Sequence, residues 1–530
     1  MEDNKRAGQD GTCYKISVIG DNLVHHIECR QEESLLDAMV RQGIYMSAAC
    51  GGRGTCGKCT LQLVEGDLEI TTYDRAKLSK AELEKGYRLS CKAYPIGDCK
   101  IKLLTGNEDD FEVVTKYQNA SRANVDKDGN YAMGIDIGTT TIAISLIDVA
   151  RGDTLDTYST VNKQRAYGAD VIARILASNS GKKEELRESI QKDLLHGIKE
   201  VIKKTGVLKE QIKKITIACN TTMGHLLLGF SCETLGVFPF TPVDISEITL
   251  SFEEVLGSDY LQIPIILLPG ISTFVGGDIA AGLLVCDFDK KKEPCLLIDL
   301  GTNGEMAIGN KDRIIVTSTA AGPAFEGGNI SCGVGSIPGA ICNIDIDKDE
   351  LKYKTIGDSA PVGICGTGVI EIVSELVKAN LVDETGLLDE DYFEDGYKIA
   401  EDLMGKAITF TQKDVREIQL AKAAVRAGVE LLICRYGITY EEIDTVYLAG
   451  GFGYKMNIEK AIDVGLLPQE LSNKITAIGN SSLGGAIRYA YDVEAHSRMK
   501  YIIENSTEIN LSNDKDFNEL YVDYMYFEVE

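Results

Sequence analysis

Four cysteines attract attention because of their spacing. Three lie close together in the run Cys50-Gly-Gly-Arg-Gly-Thr-Cys56-Gly-Lys-Cys59, and the fourth, Cys91, follows later in the chain. Thiols grouped in this way bind metal in a reducing compartment, where disulfides are rare. The total of 15 cysteines is odd, which also argues against a disulfide framework. We therefore predict that Cys50, Cys56, Cys59 and Cys91 are ligands of a metal centre.

The loop that holds the first three cysteines favours an iron–sulfur centre. It contains four glycines, Gly51, Gly52, Gly54 and Gly57. Glycine permits the tight, often left-handed turns that bring backbone N–H groups close to sulfur. The alternative is a zinc site, but zinc usually takes two short cysteine pairs. The loop also imitates a phosphate-binding loop, yet Cys59 stands where such a loop needs Ser or Thr.

The cysteine spacing resembles that of plant-type 2Fe–2S ferredoxins, with the five-residue first gap of the adrenodoxin-like branch. The surrounding pattern agrees with that fold. Strands are predicted over 14–19, 60–64 and 99–104. Ser34 is predicted to cap a helix that ends at Gly43. The resemblance implies a β-grasp ferredoxin domain over residues 1–105, carrying a 2Fe–2S cluster on the four cysteines.

One sequence motif occurs twice in the next part of the chain. Asp136-Ile-Gly138-Thr139-Thr140 and Asp299-Leu-Gly301-Thr302-Asn303 each follow an apolar strand, and such self-similarity indicates an internal duplication. Paired turns of this kind resemble the phosphate-binding hairpins of the family that contains acetate and sugar kinases, hexokinase and actin. In such hairpins glycine lets backbone N–H groups approach phosphate, hydroxyls donate hydrogen bonds, and aspartates hold magnesium directly or through water.

This resemblance implies an α/β multidomain protein, with a duplicated actin/sugar-kinase-like (ASKHA, ribonuclease H-like) ATPase core after the ferredoxin domain. The core is predicted over 132–530, in halves of about 132–288 and 289–530, after a linker over 106–131 that is either a tether or a plain spacer. The predicted catalytic residues are Asp136, Asp278 and Asp299. The predicted nucleotide-binding residues of the hairpins are Gly138, Thr139, Thr140, Gly301, Thr302 and Asn303.

Two further features bear on the nucleotide site. A buried strand ends in Gly450-Gly451-Phe-Gly453, as in the adenosine motif of that family, although a plain strand–turn–helix corner is the alternative. Asp278 opens a predicted helix at a place comparable to a catalytic aspartate of sugar kinases. It either orients the water that attacks the γ-phosphate or serves as a helix N-cap.

Further phrases resemble one group within this fold, the reductive activators of corrinoid proteins. The phrases begin at Asn162, Asn220, Ala321, Gly366, Gln412 and Gly479. The resemblance implies transfer of one electron from the 2Fe–2S cluster to the Co(II) cobalamin of a partner, which restores Co(I) for methyl transfer. It also implies ATP and Mg²⁺ as further cofactors, a corrinoid methyl-carrier protein as partner, and a low-potential donor such as a ferredoxin or flavodoxin. A homodimer is possible.

Composition narrows the alternatives. The net charge is −26, and residues 1–105 are neutral with 15 basic and 15 acidic side chains, so the acidity falls in 106–530. An acidic surface repels phosphate backbones and anionic lipids, so nucleic acid and membrane are poor partners. The apolar runs are too short for a membrane span, and a cytoplasmic location is expected. Three other functions stay open: a small-molecule kinase with a redox-sensing domain, a nucleotide-gated electron carrier, and a dehydratase activator.

Overall fold

The computed structural model describes residues 13–20, 23–104, 125–126, 129–347, 350–403, 405–512 and 514–527. The chain forms two compact units. The first, here called unit 1, combines the N-terminal residues up to 104 with the later segment 163–186. The second, unit 2, contains the rest of the described chain. The predicted linker over 106–131 lies mainly outside the described residues.

Unit 1 is built on a five-stranded sheet. Its strands are β1 (Cys13–Ile19), β2 (Val24–Arg30), β3 (Thr60–Glu65), β4 (Tyr87–Leu89) and β5 (Cys99–Leu103). They are ordered β2-β1-β5-β3-β4, with β1 parallel to β5 and all other neighbours antiparallel. Alternate strand residues such as Ile16 and Val18 are fully buried, as the two-residue period of a half-buried strand requires. The predicted β-grasp sheet is confirmed.

The helices of unit 1 are short. They are α1 (Leu35–Arg41), α2 (Thr72–Lys77), α3 (Lys80–Glu84) and α4 (Val171–Ala177). Ser34 caps α1 as predicted, because its hydroxyl accepts a hydrogen bond from the Asp37 N–H. Helix α4 belongs to the segment 163–186, which the sequence places in the ATPase core but which packs within unit 1.

The first half of unit 2 is a six-stranded sheet. Its strands are β6 (Tyr131–Ile137), β7 (Thr141–Asp148), β8 (Thr154–Val161), β9 (Ile212–Cys219), β10 (Ile248–Ser251) and β11 (Pro264–Leu267). The order is β10-β11-β9-β6-β7-β8. Strands β6, β7 and β8 form an antiparallel meander, while β9 runs parallel to β6 and β11 runs parallel to β9. The helices that follow are α5 (Lys183–Thr205), α6 (Thr221–Leu228), α7 (Phe252–Leu256) and α8 (Gly277–Val285).

The second half repeats this topology. Its main strands are β12 (Cys295–Leu300), β13 (Gly304–Gly309), β14 (Ile314–Thr319), β20 (Thr445–Ala449), β21 (Ile475–Gly479) and β22 (Ser506–Glu508). The order is β21-β20-β12-β13-β14-β22. Again a meander of three strands is extended by two parallel strands on the side of its first strand. The predicted duplication is therefore confirmed for five of the six strands, whereas the edge strands β10 and β22 lie on opposite sides of their sheets.

Smaller sheets and the remaining helices complete the second half. The smaller sheets contain β15 (Ala340–Asp347), β16 (Glu350–Thr355) and β17 (Gly363–Ile364), and separately β18 (Tyr397–Glu401) and β19 (Ala407–Phe410). The helices are α9 (Gly366–Lys378), α10 (Gln412–Tyr436), α11 (Gly450–Lys455), α12 (Ile458–Asp463), α13 (Ser481–Tyr491), α14 (Ala495–Glu504) and α15 (Lys515–Asp523). Among the helices that the structure describes, none has both the length and the apolar composition needed to cross a membrane.

Helices α8 and α13 join the two halves of unit 2. Both are almost entirely buried, and they pack closely because a Cβ on Gly485 would lie 2.2 Å from the Ala281 carbonyl oxygen. Helix α13 contacts β6 and β9 of the first sheet, and α8 contacts β12 and β13 of the second. The core between the two sheets therefore fixes the relative position of the two hairpins described next.

Candidate functional site

Both predicted phosphate-binding hairpins are present in unit 2. The first turn lies between β6 and β7 and is closed by the Gly138 N–H, which donates to the Thr141 carbonyl at 2.8 Å. The second lies between β12 and β13, where the Gly301 N–H donates to the Asn303 carbonyl at 3.0 Å. Both turns begin at equivalent ends of duplicated strands, which places Asp136 and Asp299 at matching positions.

The predicted adenosine turn lies directly against the second hairpin. Gly450 begins α11 with φ +87°, and a Cβ there would lie 2.5 Å from the Leu300 carbonyl oxygen and 2.8 Å from Asp299 Oδ1. Any larger residue would clash with the hairpin, so glycine is required at this close approach. The alternative of a simple strand–turn–helix corner describes the local backbone, but the turn also borders the cavity of the hairpins.

One cavity of unit 2 is lined by most of the predicted nucleotide-site residues. They are Asp136, Gly138, Thr139, Thr140, Asp278, Asp299, Gly301, Thr302, Asn303, Gly450 and Gly451. Gly453 is the exception. It lies inside α11 and faces β20, where a Cβ would come 3.0 Å from Leu448 Cγ. The structure thus brings together eleven of the twelve residues predicted for this site and leaves Gly453 outside it.

Asp136 is held in place by the C-terminal part of the chain. The Asn480 amide donates to its Oδ2 at 2.8 Å, and the Ser482 hydroxyl donates to its Oδ1 at 2.6 Å. Burial raises the pKa of Asp136, while these two hydrogen bonds oppose the rise. Asn480 and Ser482 belong to the motif that begins at Gly479. In the sequence this motif indicates only a resemblance to the corrinoid activators, so the contact with Asp136 was not predicted.

Three further carboxyl groups share this cavity. Burial, followed by repulsion from the neighbouring carboxylates, raises the pKa of Asp299 to about 7. Burial also raises the pKa of Asp278 to about 7, and it raises that of Glu305 well above its usual range. An empty cleft therefore retains protons near neutral pH, whereas a cation between these groups would favour their charged forms. Glu305 was not predicted as a site residue, although it directly follows the second hairpin.

Asp278 is not the N-cap of its helix. The cap of α8 is Gly276, and the Asp278 carboxylate accepts a hydrogen bond from the adjacent Ile279 N–H at 2.9 Å. A Cβ on Gly276 would lie 2.6 Å from Asn220 Cα, so the glycine lets α8 begin close to α6. The N-cap alternative is therefore wrong, and Asp278 lies in the first turn with its side chain at the cavity.

Glu326 connects the two hairpins. Its carboxylate accepts hydrogen bonds from the Thr140 hydroxyl at 3.1 Å and from the Thr302 hydroxyl at 2.9 Å. These hydroxyls come from opposite halves of unit 2 and are among those predicted to contact phosphate. Glu326 belongs to the phrase that begins at Ala321, so a signal for it was present, but its role as a bridge depends on the tertiary fold.

The other end of the cavity is aromatic. The rings of Phe325 and Phe452 are stacked, with centroids 4.9 Å apart and an interplanar angle of 11°. Both residues line the cavity beside Gly366 and Gly451. Apolar rings next to glycine backbone are the kind of lining against which a planar base packs. Neither phenylalanine was predicted.

The four predicted cysteines lie together in unit 1 as two pairs. The sulfurs of Cys59 and Cys91 are hydrogen-bonded at 3.3 Å, and the side chains of Cys50 and Cys56 are hydrogen-bonded to each other. Within the described residues, no group of three or more His, Cys, Asp or Glu side chains is arranged around one metal ion. A binuclear cluster needs two thiolates at each iron, so two pairs suit it better than a single zinc ion.

The loop geometry suits this cluster chemistry as well. All four loop glycines have positive φ, between +62° and +80°, which confirms the predicted left-handed turns. The hydrogen bond from Cys56 lowers the pKa of Cys50 to about 3, and the hydrogen bond with Cys91 lowers that of Cys59 to about 7. One sulfur of each pair is therefore favoured as a thiolate, the form that binds iron.

The segment 163–186 packs on the beginning of this loop. The Ala169 N–H donates to the Ala49 carbonyl at 3.1 Å, and a Cβ on Gly51 would lie 2.6 Å from the Tyr167 carbonyl oxygen. Lys182 also lies 3.4 Å from the Asp37 carboxylate. The phrase that begins at Asn162 therefore has a structural role beside the cysteines that its position in the sequence does not indicate.

Comparison with known protein families agrees with both units. Residues 21–95 match the 2Fe–2S iron–sulfur cluster binding domain. Residues 131–291 match the middle region of RACo, and residues 293–530 match the C-terminal domain of RACo, the ASKHA domain. These two models describe consecutive parts of one family. The chain belongs to the RACo family.

Two relatives and one solved structure match most of the chain or nearly all of it. The corrinoid activation enzyme RamQ of Eubacterium limosum is 29% identical over 94% of this chain and 97% of its own length. The [Co(II) methylated amine-specific corrinoid protein] reductase of Methanosarcina barkeri is 29% identical over 74% of this chain and 76% of its own. A solved reductive activator for corrinoid, iron–sulfur protein superposes with a TM-score of 0.68, at 28% identity, covering 97% of this chain and 98% of that one.

Proposed function

We propose that this protein is an ATP-dependent reductive activase that restores Co(I) in a partner corrinoid protein. One electron passes from a reduced 2Fe–2S cluster to Co(II), which becomes Co(I), and ATP is hydrolysed to ADP and phosphate. The observation that carries this proposal is the combination of two thiol pairs in a ferredoxin-like unit with a two-hairpin nucleotide cleft in the same chain. The activities after which the corrinoid-activating relatives are named support it.

Cys50, Cys56, Cys59 and Cys91 would hold the cluster, which supplies reversible one-electron transfer when bound. The chain provides the rest of that site. The loop turns at its four positive-φ glycines and brings the N–H groups of Thr55 and Cys56 to the Cys50 sulfur and that of Lys58 to the Cys56 sulfur. Burial of Cys50, Cys59 and Cys91 keeps water away from them. Hydrogen bonding and exclusion of water are the means by which a protein adjusts the reduction potential of such a centre.

In the nucleotide cleft, the two hairpins would bind the phosphates from opposite sides. Gly138 and Gly301 close the two turns through their own N–H groups and bring the turn backbone to the cavity, and Thr139 and Thr302 provide hydroxyl groups there. Asp136 and Asp299 would hold Mg²⁺ directly or through water, since that ion prefers oxygen ligands and keeps several waters. Asp278 would orient the attacking water, because its carboxylate enters the same cavity.

The physical purpose of the nucleotide is to change the affinity for the partner. Electron transfer to Co(II) is uphill from ordinary donors. ATP hydrolysis can drive this transfer only if the ATP-bound and ADP-bound states of the protein favour different conformations. A low-potential ferredoxin or flavodoxin would supply the electron. A cytoplasmic location and a homodimer stay predictions.

The decisive experiment is spectroscopic. The anaerobically purified protein, reduced and supplied with Mg–ATP, is mixed with a candidate Co(II) methyl carrier, and the Co(I) absorption band is followed together with release of phosphate. We expect the band to appear only when ATP is present. A phosphorylated small molecule in place of free phosphate would point to a kinase instead. No band with any corrinoid partner of the same organism would reject the proposal.

A further inference from the structure

The segments that border the cysteine loop expose basic side chains and no acidic ones. These segments are the loop 51–59, helix α2 and residues 91–96. Their charged side chains at the surface are Arg53, Lys58, Arg75, Lys77 and Lys92, which we call the basic face. The one acidic residue in these segments, Asp74, is 1% exposed and accepts hydrogen bonds from the Leu89 N–H and from Thr71.

The basic face lies directly on the loop. A Cβ on Gly54 would come 2.8 Å from Tyr73 Cδ1 and 2.9 Å from Lys92 Cε, so both side chains pack on the loop backbone. The Lys92 ammonium also lies 4.9 Å from the centre of the Tyr73 ring. Lys77 is close to Gly57, at 3.9 Å by the same measure. Helix α2 therefore carries its charges to the edge of the loop.

The neighbouring segments carry charges of both signs. Residues 65–71 before α2 contain the exposed acids Glu65, Asp67 and Glu69, and α3, which packs on α2, contains Lys80, Glu82 and Glu84. The segment 163–170, which also packs on the loop, contains Lys163, Arg165 and Asp170, a net charge of +1. The chain as a whole has a net charge of −26. A small positive area on a strongly negative molecule attracts an anionic protein to that area and repels it elsewhere.

We propose that the basic face is the docking surface of an acidic one-electron carrier protein that reduces the cluster. This inference rests on the proposed function, in which the cluster must be refilled after each transfer. The carrier loses one electron, the oxidised 2Fe–2S cluster gains it, and no bond or proton is exchanged. Tyr73, which is 44% exposed among the cations, adds the kind of aromatic contact that is enriched in protein interfaces.

Electrostatic steering is the physical reason for such a face. Complementary charges raise the association rate of two proteins about 10- to 1,000-fold at low salt, and the gain is lost as ionic strength rises. Rim charges act mainly on this rate and little on the strength of the final complex. A carrier that must bind and leave in every cycle benefits from fast association without tight binding.

The experiment measures cluster reduction in the full-length holoprotein without any corrinoid protein present. The electron donor is a reduced bacterial 2[4Fe–4S] ferredoxin of strongly negative charge, and the loss of cluster absorbance is followed in a stopped-flow instrument at several salt concentrations. The variant is Arg75→Glu/Lys77→Glu. We expect its second-order rate constant to fall about tenfold or more at low salt and to approach the wild-type value at high salt.

Two controls make the result specific. Lys15→Glu/Lys102→Glu carries the same charge change on exposed residues of β1 and β5, outside the basic face, and should keep the wild-type rate constant. Photoreduced 5-deazaflavin, an uncharged small donor, should reduce all three proteins equally, which shows that the cluster is intact.

Three outcomes would count against the inference. Equal ferredoxin rates for wild type and Arg75→Glu/Lys77→Glu at every salt concentration would overturn it. In a separate assay with the Co(II) corrinoid protein, slower Co(I) formation by an Arg75→Glu/Lys77→Glu variant that ferredoxin reduces normally would also overturn it, since the face would then belong to the corrinoid partner. A wild-type protein with no reducible cluster would overturn the proposed function and this inference together, and deazaflavin reveals that case before any ferredoxin is added.

Discussion

At the scale of single residues, the nucleotide cleft is notable for what its hydroxyl groups contact. Glu326 accepts hydrogen bonds from Thr140 and Thr302, so a carboxylate takes up donors that phosphate oxygens would need. Hydrogen bonds to a charged group are stronger than neutral ones, and their loss opposes nucleotide binding. A nucleotide bound by these two hairpins would therefore compete with Glu326 for their hydroxyl groups.

We predict that Glu326→Gln binds Mg–ADP more tightly than wild type, by about tenfold in Kd, or about 1.4 kcal/mol. The variant removes the negative charge and weakens the bridge between the hairpins. Isothermal titration calorimetry measures the change. Glu417→Gln is the matched control, because it makes the same substitution at a carboxylate outside the cavity, hydrogen-bonded to Asn329, and should leave the Kd unchanged. Weaker binding by Glu326→Gln would show that Glu326 itself helps to hold the nucleotide.

A second prediction at this scale concerns pH. The pKa of Asp299 is raised to about 7 in the folded protein, so the folded state binds a proton that the unfolded state releases at much lower pH. Stability therefore falls as pH rises from about 4 to about 7 and levels off above that. Between pH 5 and 8 this one group removes about 2–3 kcal/mol of stability. Thermal unfolding of the nucleotide-free protein should show a smaller loss over this range in Asp299→Asn than in wild type, and equal losses would refute the assignment.

At the scale of elements, a buried ion network joins α9, α12 and β15. Lys460 of α12 contacts Glu371 and Glu375 of α9 and donates to the Ile344 carbonyl of β15. The two glutamates also accept hydrogen bonds from backbone N–H groups of β15. The network positions α9, whose first residues border the nucleotide cavity.

We expect Lys460→Met to lower the stability of the protein by about 3–5 kcal/mol, because it leaves two buried carboxylates without their cation. Lys378→Met is the control. Its partner is Asp463 of α12, but Lys378 is half exposed, so its loss should cost only about 0–1 kcal/mol. Urea unfolding measures both values, and similar effects of the two substitutions would contradict this account of the network.

The elements also show how far the sequence was informative. Strands, hairpins and the cysteine loop were predictable, because the hydrophobic period of a strand, the glycines of a turn and the capping residues of a helix determine the backbone of only a few neighbouring residues. The contact between Glu326 and Thr140 was not, since it joins residues 186 positions apart, and Asp136 meets Asn480 across 344 positions. Such pairs depend on how the two halves close. Gly453 was assigned to the cavity because it belongs to the glycine motif. It lies inside helix α11, however, and the helix places it against β20 instead.

At the scale of the whole molecule, the four-cysteine group and the cavity between the hairpins belong to different compact units. We therefore predict that Cys59→Ala abolishes Co(I) formation and leaves the affinity for Mg–ADP unchanged, since Cys59 lies in unit 1 and the cavity in unit 2. Electron paramagnetic resonance after reduction and calorimetry of the same sample test both parts. Cys29→Ala, at a buried thiol of unit 1 outside the four-cysteine group, should retain both functions. Loss of nucleotide binding in Cys59→Ala alone would contradict the independence of the units.

The packing of residues 163–186 on the cysteine loop limits how this protein can be recombined. A ferredoxin module transplanted from another protein would bring four suitable thiols but not the surface that fits Tyr167, where even one extra methyl group at Gly51 would collide with backbone. Conversely, excising the N-terminal hundred residues would leave the Ala169 N–H without its acceptor at Ala49. The N-terminal hundred residues are therefore not a separable module in this chain, because residues 163–186 complete the same compact unit.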